Sequence, residues 1–428
     1  MTLVPAPGSN GHGDRLWSGE GYREPSRNST LEKLSVPVLE SKKKAKNTSF
    51  FKRPSFVQSY FSMIKKPSRS TAELRPALPQ YVVTAIVPCR NERASIESCV
   101  RSILDQEKPE GEVELIVVDG LSTDGTEELL LRLAKQYPAF TLITNPKRTM
   151  PSGVNLAIAA ARGRYIAIMG AHNRYAPDYL RQAVHVLEET QADNAGGSMV
   201  CEGESYVQEA IALAHHSGFS VGGARWHDPQ YEGPADTVFG GVYRREVFER
   251  IGPFDEELIR NQDDELNLRL VQQGGRIWHS PRIKSWYKPR RSLRSLFGQY
   301  SQYGYWRVRV VQKRKAAAAL RQYVPGAFVF SLIALPIVAL FWSPVWWLWF
   351  GEMAVYGLCA LGMSFVVALR NGWRYFPILP LVFACYHLGY GIGFLHGVMD
   401  FVLLRRQGRK TFGTLTRPAE SPETSGLQ

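Results

Sequence analysis

The chain has 428 residues, of which 44% are hydrophobic, so it can bury one large core or two smaller ones, and disorder throughout is excluded. Its formal net charge is +13, but the positive residues crowd ahead of a long apolar region, which favours an anionic lipid surface as the partner and argues against nucleic acid. The five cysteines have neither paired nor metal-type spacing and predict no disulfide framework and no zinc site.

The first 80 residues are basic and rich in Ser, Pro, Gly and Asn, a composition that predicts a mostly disordered region. Residues 42–66 place aromatic side chains among lysines, which suits either an anionic membrane surface or a solvated tail. Residues 1–30 contain no apolar run of the signal-peptide type, so the soluble part of the chain is expected to stay in the cytoplasm.

From residue 81 to about 290, short β-branched runs alternate with segments of helical periodicity. The predicted strands are "YVVTAIVP", "VELIVVD", "FTLITN" and "RYIAIMG"; the predicted helices between them are "ASIESCVRSILDQ", "TEELLLRLAKQ" and "SGVNLAIAAARG". Two further helices, "PDYLRQAVHVLEET" and "DDELNLRLVQQGG", flank a Gly-rich middle. This alternation predicts a domain with a mostly parallel sheet, helices on both faces and a ligand at the carboxyl ends of the strands.

The C-terminal third of the chain is basic first and apolar afterwards. No acidic residue occurs from 266 to 351, and residues 291–323 are predicted to form a basic amphipathic juxtamembrane segment. Residues 324–404 follow as a transmembrane region with three apolar stretches, at about 324–342, 345–369 and 376–404, and residues 405–428 form a tail.

The charges around the third apolar stretch leave its topology open. Arg370 and Arg374 suit a cytoplasmic loop after the second stretch, but a third crossing would place the basic residues from Arg405 onward outside, against the positive-inside trend. The third stretch is rich in glycine, so a re-entrant or broken helix that returns the tail to the cytoplasm is the alternative to a plain span.

Two predicted strand ends carry polar motifs. The first strand ends in "PCRNE" with no Gly-x-Gly-x-x-Gly after it, which makes a nicotinamide or flavin dinucleotide site improbable; its polar residues suit a nucleobase or ribose, or are ordinary helix caps. The second strand ends in "DGLSTDGT". Asp119 terminates this buried strand where a base or ribose would lie, whereas Asp124 is either a cap for the next helix or a nucleotide contact.

With these motifs, and with "TMPSGVNLAIAAARGRYIAIMGAH", "FGGVYRREVFERIGPFDEEL", "NQDDELNLRL" and "QYSQYGYWR", the chain resembles the family 2 glycosyltransferases over about residues 81–306. It is most similar to the membrane-attached bacterial exopolysaccharide enzymes of the succinoglycan-biosynthesis type. The resemblance implies an α/β fold of the GT-A type (Rossmann-like), here followed by C-terminal transmembrane helices. It further implies a nucleotide pocket that contains Pro88, Arg90, Glu92 and Asp119, with Asp124 facing the uracil or ribose.

In such enzymes the fourth strand carries Asp-x-Asp or Asp-x-His, which holds the donor diphosphate through a divalent cation. Here Gly170 replaces the usual Asp, and the element reads Gly170-Ala171-His172. The resemblance implies Mn²⁺ or Mg²⁺ as the cofactor, and the imidazole of His172 would favour Mn²⁺ because Mg²⁺ prefers oxygen ligands. His172 could also bond a phosphate oxygen directly or be a buried structural histidine.

The motif "NQDDEL" matches the family pattern of Glu-Asp, two further residues and Leu, so the resemblance assigns the catalytic base to Asp263. An inverting transfer needs one carboxylate to take the proton of the acceptor hydroxyl as it attacks the anomeric carbon. Neighbouring acids should raise the pKa of that carboxylate. The alternative is an acidic first turn that the helix dipole favours. Gln262 replaces the usual Glu.

Five further residues are candidates for acceptor binding or gating: Asp255, Asp264, Gln299, Trp306 and Arg307. Two of them have structural alternatives. Trp306 could anchor an interfacial amphipathic helix, and Asp255 could be a turn residue.

The sequence therefore predicts an inverting glycosyltransferase anchored by several spans in the inner (plasma) membrane, with its catalytic domain in the cytoplasm. It would move a sugar from a nucleotide-sugar donor, UDP-glucose first, to a lipid-linked saccharide in exopolysaccharide biosynthesis. Two alternatives are a nucleotide-sugar-binding scaffold that has lost transfer and a processive polysaccharide synthase. No nucleic-acid partner is predicted.

Overall fold

The computed structural model describes residues 81–197, 199–223, 225–316 and 319–413. The predictions for residues 1–80 and for most of the C-terminal tail lie outside these ranges.

The strands are short and concentrated in the first half of the described chain. They are β1 (Tyr81–Cys89), β2 (Glu112–Asp119), β3 (Phe140–Thr144), β4 (Tyr165–Ile168), β5 (Asn173–Tyr175), β6 (Asn194–Gly197), β7 (Met199–Cys201), β8 (Gly233–Pro234), β9 (Phe239–Arg244), β10 (Ile277–His279) and β11 (Ser285–Tyr287).

The helices alternate with these strands and then continue alone to the end of the described chain. They are α1 (Ile96–Leu104), α2 (Thr126–Gln136), α3 (Met150–Ala160), α4 (Tyr179–Thr190), α5 (Tyr206–His215), α6 (Gly218–Val221), α7 (Arg245–Ile251), α8 (Gln262–Gln272), α9 (Leu293–Arg314), α10 (Val324–Ala339), α11 (Val345–Asn371) and α12 (Leu379–Gly397).

The main sheet has eight strands in the order β3-β2-β1-β4-β9-β6-β10-β8. The four strands predicted from the sequence are neighbours and parallel, because each is followed by a helix that returns the chain to the same edge. Strand β9 is antiparallel to both of its neighbours, β4 and β6. The predicted α/β fold with a largely parallel sheet is confirmed.

Apolar residues on both faces of the sheet explain its position inside the domain. In β1, Val83, Ala85 and Val87 are buried against one apolar cluster, whereas Ile86 is buried in a second cluster with Ile116 of β2. Successive strand residues point to opposite faces, so a strand that is apolar throughout is covered by helices on both sides.

A second sheet of three strands, in the order β5-β11-β7, lies next to the end of β4. Strand β11 is antiparallel to β5, and Tyr287 pairs with Asn173 in this ladder. The sheet therefore brings the residue that follows His172 beside the last strand of the domain.

Three segments of the described chain are long and apolar enough to cross a membrane: Leu320–Ala339, Val345–Asn371 and Leu379–Leu403. They correspond to the three predicted apolar stretches. The 22-residue helix α9 precedes them and carries five of the eight basic residues of the predicted juxtamembrane segment.

Candidate active site

The polar loops after β1 and β2 are joined by hydrogen bonds. The Asn91 amide N–H donates to the hydroxyl of Ser122 at 2.8 Å, and the Asn91 side-chain oxygen accepts from the N–H of Thr123 at 2.9 Å. Asn91 has a φ of 56°, in the left-handed region that asparagine tolerates better than most residues. The two predicted motifs thus form one rigid corner at the carboxyl ends of neighbouring strands.

The two aspartates of the second loop are used in ordering that loop. Asp119 is 1% exposed, and its carboxylate accepts from the N–H and the hydroxyl of Ser122 at 2.9 and 2.5 Å. Asp124 accepts from the N–H and the hydroxyl of Thr126 at 3.1 and 2.6 Å, in the first turn of α2, and from the N–H of Arg93 at 3.2 Å. These hydrogen bonds fix the conformation of the loop after β2, which a ligand in this corner would contact.

The remaining nucleotide candidates lie along the end of β1. Pro88 pairs with Val118 in the β1–β2 ladder and is partly exposed. Arg90 packs against Gly120. A Cβ atom added at position 120 would lie 3.3 Å from the Cβ of Arg90. The Nε of Arg90 is buried and makes no hydrogen bond in the described chain. A phosphate or carbonyl oxygen of a ligand would satisfy this donor.

His172 faces Glu92 at the end of β4. The distance from His172 Nδ1 to Glu92 Oε1 is 3.4 Å, and the other Glu92 oxygen accepts from the hydroxyl of Ser95 at 2.9 Å. This contact is an ion-pair approach and not a hydrogen bond, and a carboxylate in this position favours one orientation of the imidazole. The His172 side chain is 32% exposed.

Gly170 leaves space that its neighbour Asn173 fills. A Cβ on Gly170 would lie 2.6 Å from the Asn173 amide nitrogen, and the Gly170 N–H donates to the Tyr175 hydroxyl at 2.6 Å. An acid at position 170 would therefore need Asn173 to move. The Asn173 amide thus occupies the space that a carboxylate at position 170 would need.

The corner offers few ligands for a metal. Within the described ranges, no group of three or more His, Cys, Asp or Glu side chains is arranged to hold a metal ion. His172 and Glu92 supply one imidazole and one carboxylate, which fits a cation that takes most of its ligands from a bound diphosphate but does not fit a cation site made by protein alone.

The first turn of α8 carries three consecutive acids, and two of them are paired with arginines. Asp264 forms a short ion pair with Arg307, and the fully buried Glu265 pairs with Arg269 at 2.9 Å and closely with Arg314. No cationic group within the described ranges lies within 4.0 Å of Asp263. Its Oδ1 accepts the N–H of Asp264, at 2.9 Å.

The surroundings of Asp263 raise its proton affinity. The side chain faces the lumen of a cavity and is reached by water there, but protein encloses that cavity. This enclosure is the main cause that raises the pKa of Asp263 to about 6, and the negative charge of Asp264 adds to it, while Arg307 opposes it. A carboxylate of this kind is suited to accept a proton near neutral pH.

The cavity next to Asp263 has a volume of about 460 Å³ and extends from α8 to the apolar helices. Its lining includes Gln262 and Asp264 next to Asp263, and Val324 and Pro325 at the start of α10. Its walls carry two kinds of side chain, which are the arginines Arg260, Arg290, Arg307 and Arg321 and the tyrosines Tyr287, Tyr300, Tyr303, Tyr386 and Tyr390. Aromatic faces and cationic groups suit a sugar ring and an anionic group, respectively.

The structure separates the five acceptor or gating candidates. Asp264, Gln299 and Arg307 line the cavity together with Asp263. Asp255 does not; it pairs with Lys313 at 2.5 Å. Trp306 does not line the cavity either.

Trp306 is 3% exposed, and its indole N–H donates to the carbonyl of Phe412 at 2.9 Å. The alternative that Trp306 anchors the chain at a membrane surface is therefore wrong, because the ring is packed inside the protein.

Several cavity residues were not predicted from the sequence. Arg260 donates through Nε to Gln302 at 2.9 Å, and Asn261 begins α8 with a φ of 58° and donates to the carbonyl of Tyr303 at 2.8 Å. Tyr287 lies between the cavity and the first corner, with its ring centroid 6.2 Å from that of His172. No local motif marks Arg260 or Tyr287, since distant segments bring them to the cavity, whereas Asn261 is the first residue of the "NQDDEL" motif but was not assigned a role.

The fold and the site define a glycosyltransferase. A sequence model of the glycosyl transferase family 2 matches residues 84–252, which contain the corner after β1, β2 and β4. The chain is 31% identical over 318 residues to the succinoglycan biosynthesis protein ExoA of Rhizobium meliloti (strain 1021), an alignment that covers 74% of this chain and 94% of that protein. The chain belongs to glycosyltransferase family 2.

Other relatives act in different glycan pathways. The chain is 24% identical over 324 residues to a dolichyl N-acetyl-alpha-D-glucosaminyl phosphate 3-beta-D-2,3-diacetamido-2,3-dideoxy-beta-D-glucuronosyltransferase of Methanococcus voltae, covering 74% of this chain and 97% of that protein. It is 26% identical over 223 residues to a beta-monoglucosyldiacylglycerol synthase of Nostoc sp. (strain PCC 7120 / SAG 25.82 / UTEX 2576), covering 48% and 44%.

Among solved structures, the mannosyltransferase PcManGT from Pyrobaculum calidifontis, in complex with GDP-Man and Mn²⁺, aligns with a TM-score of 0.47 and 21% identity over 78% of this chain and 94% of that one.

Proposed function

We propose that the chain is an inverting glycosyltransferase in which Asp263 is the catalytic base. The acceptor hydroxyl oxygen attacks the anomeric carbon of the donor sugar, the bond from that carbon to the diphosphate oxygen breaks, and the hydroxyl proton passes to Asp263. The nucleoside diphosphate leaves with the bonding electron pair. The observation that carries the proposal is the position of Asp263, which faces the cavity with no cationic partner while both neighbouring acids are neutralised by arginines.

The donor is assigned to the corner formed by the loops after β1, β2 and β4. Arg90 supplies a buried donor without a partner, and His172 is oriented by Glu92. We assign UDP-glucose as the first donor to test, on the family resemblance of the "PCRNE" and "DGLSTDGT" motifs. Asp119 and Asp124 act by holding the loop that the base or ribose would contact.

A divalent cation, Mn²⁺ before Mg²⁺, is proposed at His172. When bound, such a cation neutralises charge on the diphosphate leaving group. The chain contributes His172, after β4, as a nitrogen ligand and Glu92, after β1, as the group beside its ring. The two side chains meet at the carboxyl ends of these strands, where the diphosphate is expected.

The acceptor is proposed to be a lipid-linked saccharide in exopolysaccharide biosynthesis. The cavity runs from Asp263 to the first residues of α10, so an acceptor that is anchored in a bilayer can reach the base. The names of two relatives point to lipid acceptors, a dolichyl-linked sugar phosphate and a diacylglycerol, and ExoA acts in succinoglycan biosynthesis.

The protein is proposed to be an inner-membrane protein of the multi-pass type with a cytoplasmic catalytic domain. Nucleotide sugars are cytoplasmic, and the basic residues next to the apolar helices, such as Arg321 and Arg374, mark the cytoplasmic side.

The proposed reaction is tested with the purified full-length protein in lipid nanodiscs, radiolabelled nucleotide sugars and lipid-linked saccharides extracted from bacterial membranes. We expect label from UDP-glucose to enter the organic-extractable fraction, and no label with Asp263→Asn. Label in a long water-soluble polymer would favour a processive synthase. Nucleotide binding without transfer from any UDP-, GDP- or ADP-sugar would favour the scaffold.

A further inference from the structure

Helix α9 is attached to the catalytic domain along its length. Near its start, Gln299 accepts from Arg290 at 3.0 Å, and near its middle, Gln302 accepts from Arg260 at 2.9 Å. Its second half forms the ion pairs of Arg307 with Asp264 and of Lys313 with Asp255. A helix with these charged contacts cannot enter the hydrocarbon core of a bilayer without breaking them.

Helix α12 runs parallel to α9 at very short distance. Glycines of α12 meet α9 backbone at intervals of four residues: a Cβ on Gly389, Gly393 or Gly397 would lie 2.9, 2.0 or 2.6 Å from the carbonyl oxygen of Phe297, Ser301 or Tyr305, respectively. Since both series advance by four residues together, the two helices point in the same direction over this whole contact. The direction and depth of α9 relative to the membrane therefore also apply to α12.

Both ends of the third apolar segment, Leu379–Leu403, are bound either to the catalytic domain or to α9, which is itself bound to that domain. Just before α12, Arg374 pairs with Glu209 of α5 at 3.1 Å. At the other end the fully buried Asp400 accepts from the Tyr305 hydroxyl of α9 at 2.9 Å and pairs with Arg409 at 2.6 Å.

The chain beyond Asp400 also returns to α9. The ring of Phe412 stacks on that of Tyr305 with centroids 4.1 Å apart and an interplanar angle of 6°. The segment after the third apolar stretch is thus bound to the same helix that is bound to the domain.

Helices α10 and α11 behave differently. They contact α12 through Gly326 of α10 against Phe394 and through Val367 of α11 in the cluster that contains Phe383. Near the middle of α11, the Tyr356 hydroxyl also lies 3.1 Å from Nδ1 of His387. Toward their connection they expose large apolar side chains to the surroundings, among them Phe341 at 88% and Trp347 at 80%. The connection itself contains no Lys or Arg.

We propose that the chain crosses the membrane twice, through α10 and α11 only, and that α12 lies in the near leaflet along α9 without crossing. This arrangement places Arg321, Arg374 and the basic residues from Arg405 to Lys410 on the same side as the catalytic domain, in agreement with the positive-inside trend. It removes the conflict that a third crossing creates, although the segment of α12 is long and apolar enough to span.

One consequence concerns the acceptor and rests on the proposed function. Tyr386, His387 and Tyr390 of α12 line the cavity that contains Asp263. If α12 lies in the near leaflet, these side chains are at headgroup level, and the acceptor saccharide is presented to Asp263 close to its lipid anchor.

The topology is tested by cysteine labelling with a membrane-impermeant maleimide in right-side-out and inside-out vesicles that contain the full-length protein. Three single variants are compared with the parent chain, which measures labelling of the native cysteines. Ser343→Cys reports on the connection between α10 and α11, Gln407→Cys on the segment after α12, and Glu249→Cys on the exposed surface of the domain.

We expect Glu249→Cys and Gln407→Cys to be labelled in inside-out vesicles and Ser343→Cys in right-side-out vesicles. Labelling of Gln407→Cys from the same side as Ser343→Cys would show a third crossing and overturn the proposal. Labelling of all three from one side, or of Gln407→Cys in detergent alone, would also overturn it. Labelling in detergent shows that each introduced thiol is reactive, and no result depends on transfer activity, so failure here is distinct from failure of the proposed function.

Discussion

At the level of single residues, the site depends on which acid is left without a cation. Three acids follow one another at the start of α8, and the family motif in the sequence favours the first of them, Asp263, without giving a physical reason. The structure gives one, because Arg307 and Arg314 each reach an acid from α9, and Asp263 is the acid that they leave facing the cavity.

The raised pKa of Asp263 predicts the direction of the pH dependence. A base must be deprotonated, so kcat/KM for the acceptor should rise with pH through about 6 and level off above it. An acid with the usual value of 3.8 would place the fall at a much lower pH. The measurement is initial rate between pH 4.5 and 8, with tryptophan fluorescence at each pH to separate titration from unfolding. A flat profile between pH 5 and 7 in a folded protein would contradict the assignment.

His172 predicts a nucleotide affinity that depends on Mn²⁺. His172→Ala should weaken Mn²⁺-dependent UDP binding by roughly 10- to 100-fold, since loss of a ligand or of its orientation typically has effects of this size. His185→Ala is the matched control, because the His185 side chain is 65% exposed on α4 and makes its contact with Glu189 of the same helix. Isothermal titration of UDP with and without Mn²⁺ measures the effect. Equal affinities for wild type and His172→Ala would rule out this ligand.

At the level of helices and strands, the elements that could be predicted are those whose signal lies in their own stretch of sequence. The strands β1 to β4 and the helices between them were predicted because each carries its own period and its own polar end. The seven remaining strands, β5 to β11, were missed, and six of them have only two to four residues each. Their pairing partners are distant in sequence, so no local pattern identifies them.

The residues of the candidate site also divide into those with a local sequence signal and those without one. Asp263 and the corner with Arg90, Asp119 and His172 could be placed from motifs at strand and helix ends. Arg260 and Tyr287 could not, because they join the site only through the packing of α9 and the second sheet. The glycines of α12 were noticed, yet their partner helix could not be named from the sequence.

The close contact of α9 and α12 predicts a large effect of side-chain volume. Gly393→Val should destabilise the protein by about 3 kcal/mol or more, at or beyond the upper end of usual overpacking, since the new Cβ would lie 2.0 Å from a backbone oxygen that cannot move aside. Gly357→Val on α11 makes the same chemical change where no atom lies within 4 Å of the new Cβ, and it should be tolerated.

Thermal unfolding in nanodiscs measures the difference between these two variants. A melting temperature of Gly393→Val equal to that of Gly357→Val would show that α9 and α12 are not packed as described.

At the level of the whole molecule, the catalytic domain and the apolar helices share one functional feature. The cavity is lined by the proposed base and by the beginning of α10, and residues of α9 and α12 also line it. A domain that works on a bilayer-anchored acceptor needs this arrangement, because the acceptor hydroxyl cannot travel far from the membrane.

The most direct test is donor-dependent release of nucleoside diphosphate by the full-length protein in nanodiscs, supplied with UDP-glucose, Mn²⁺ and lipid-linked saccharides. The variants are Asp263→Asn and, as control, Glu249→Gln on the exposed face of α7. We expect the control to match wild type and Asp263→Asn to be slower by about 10²- to 10⁴-fold with unchanged UDP affinity, the range typical for loss of a general base. Asp263→Asn with a rate near that of wild type would show that another group takes the proton.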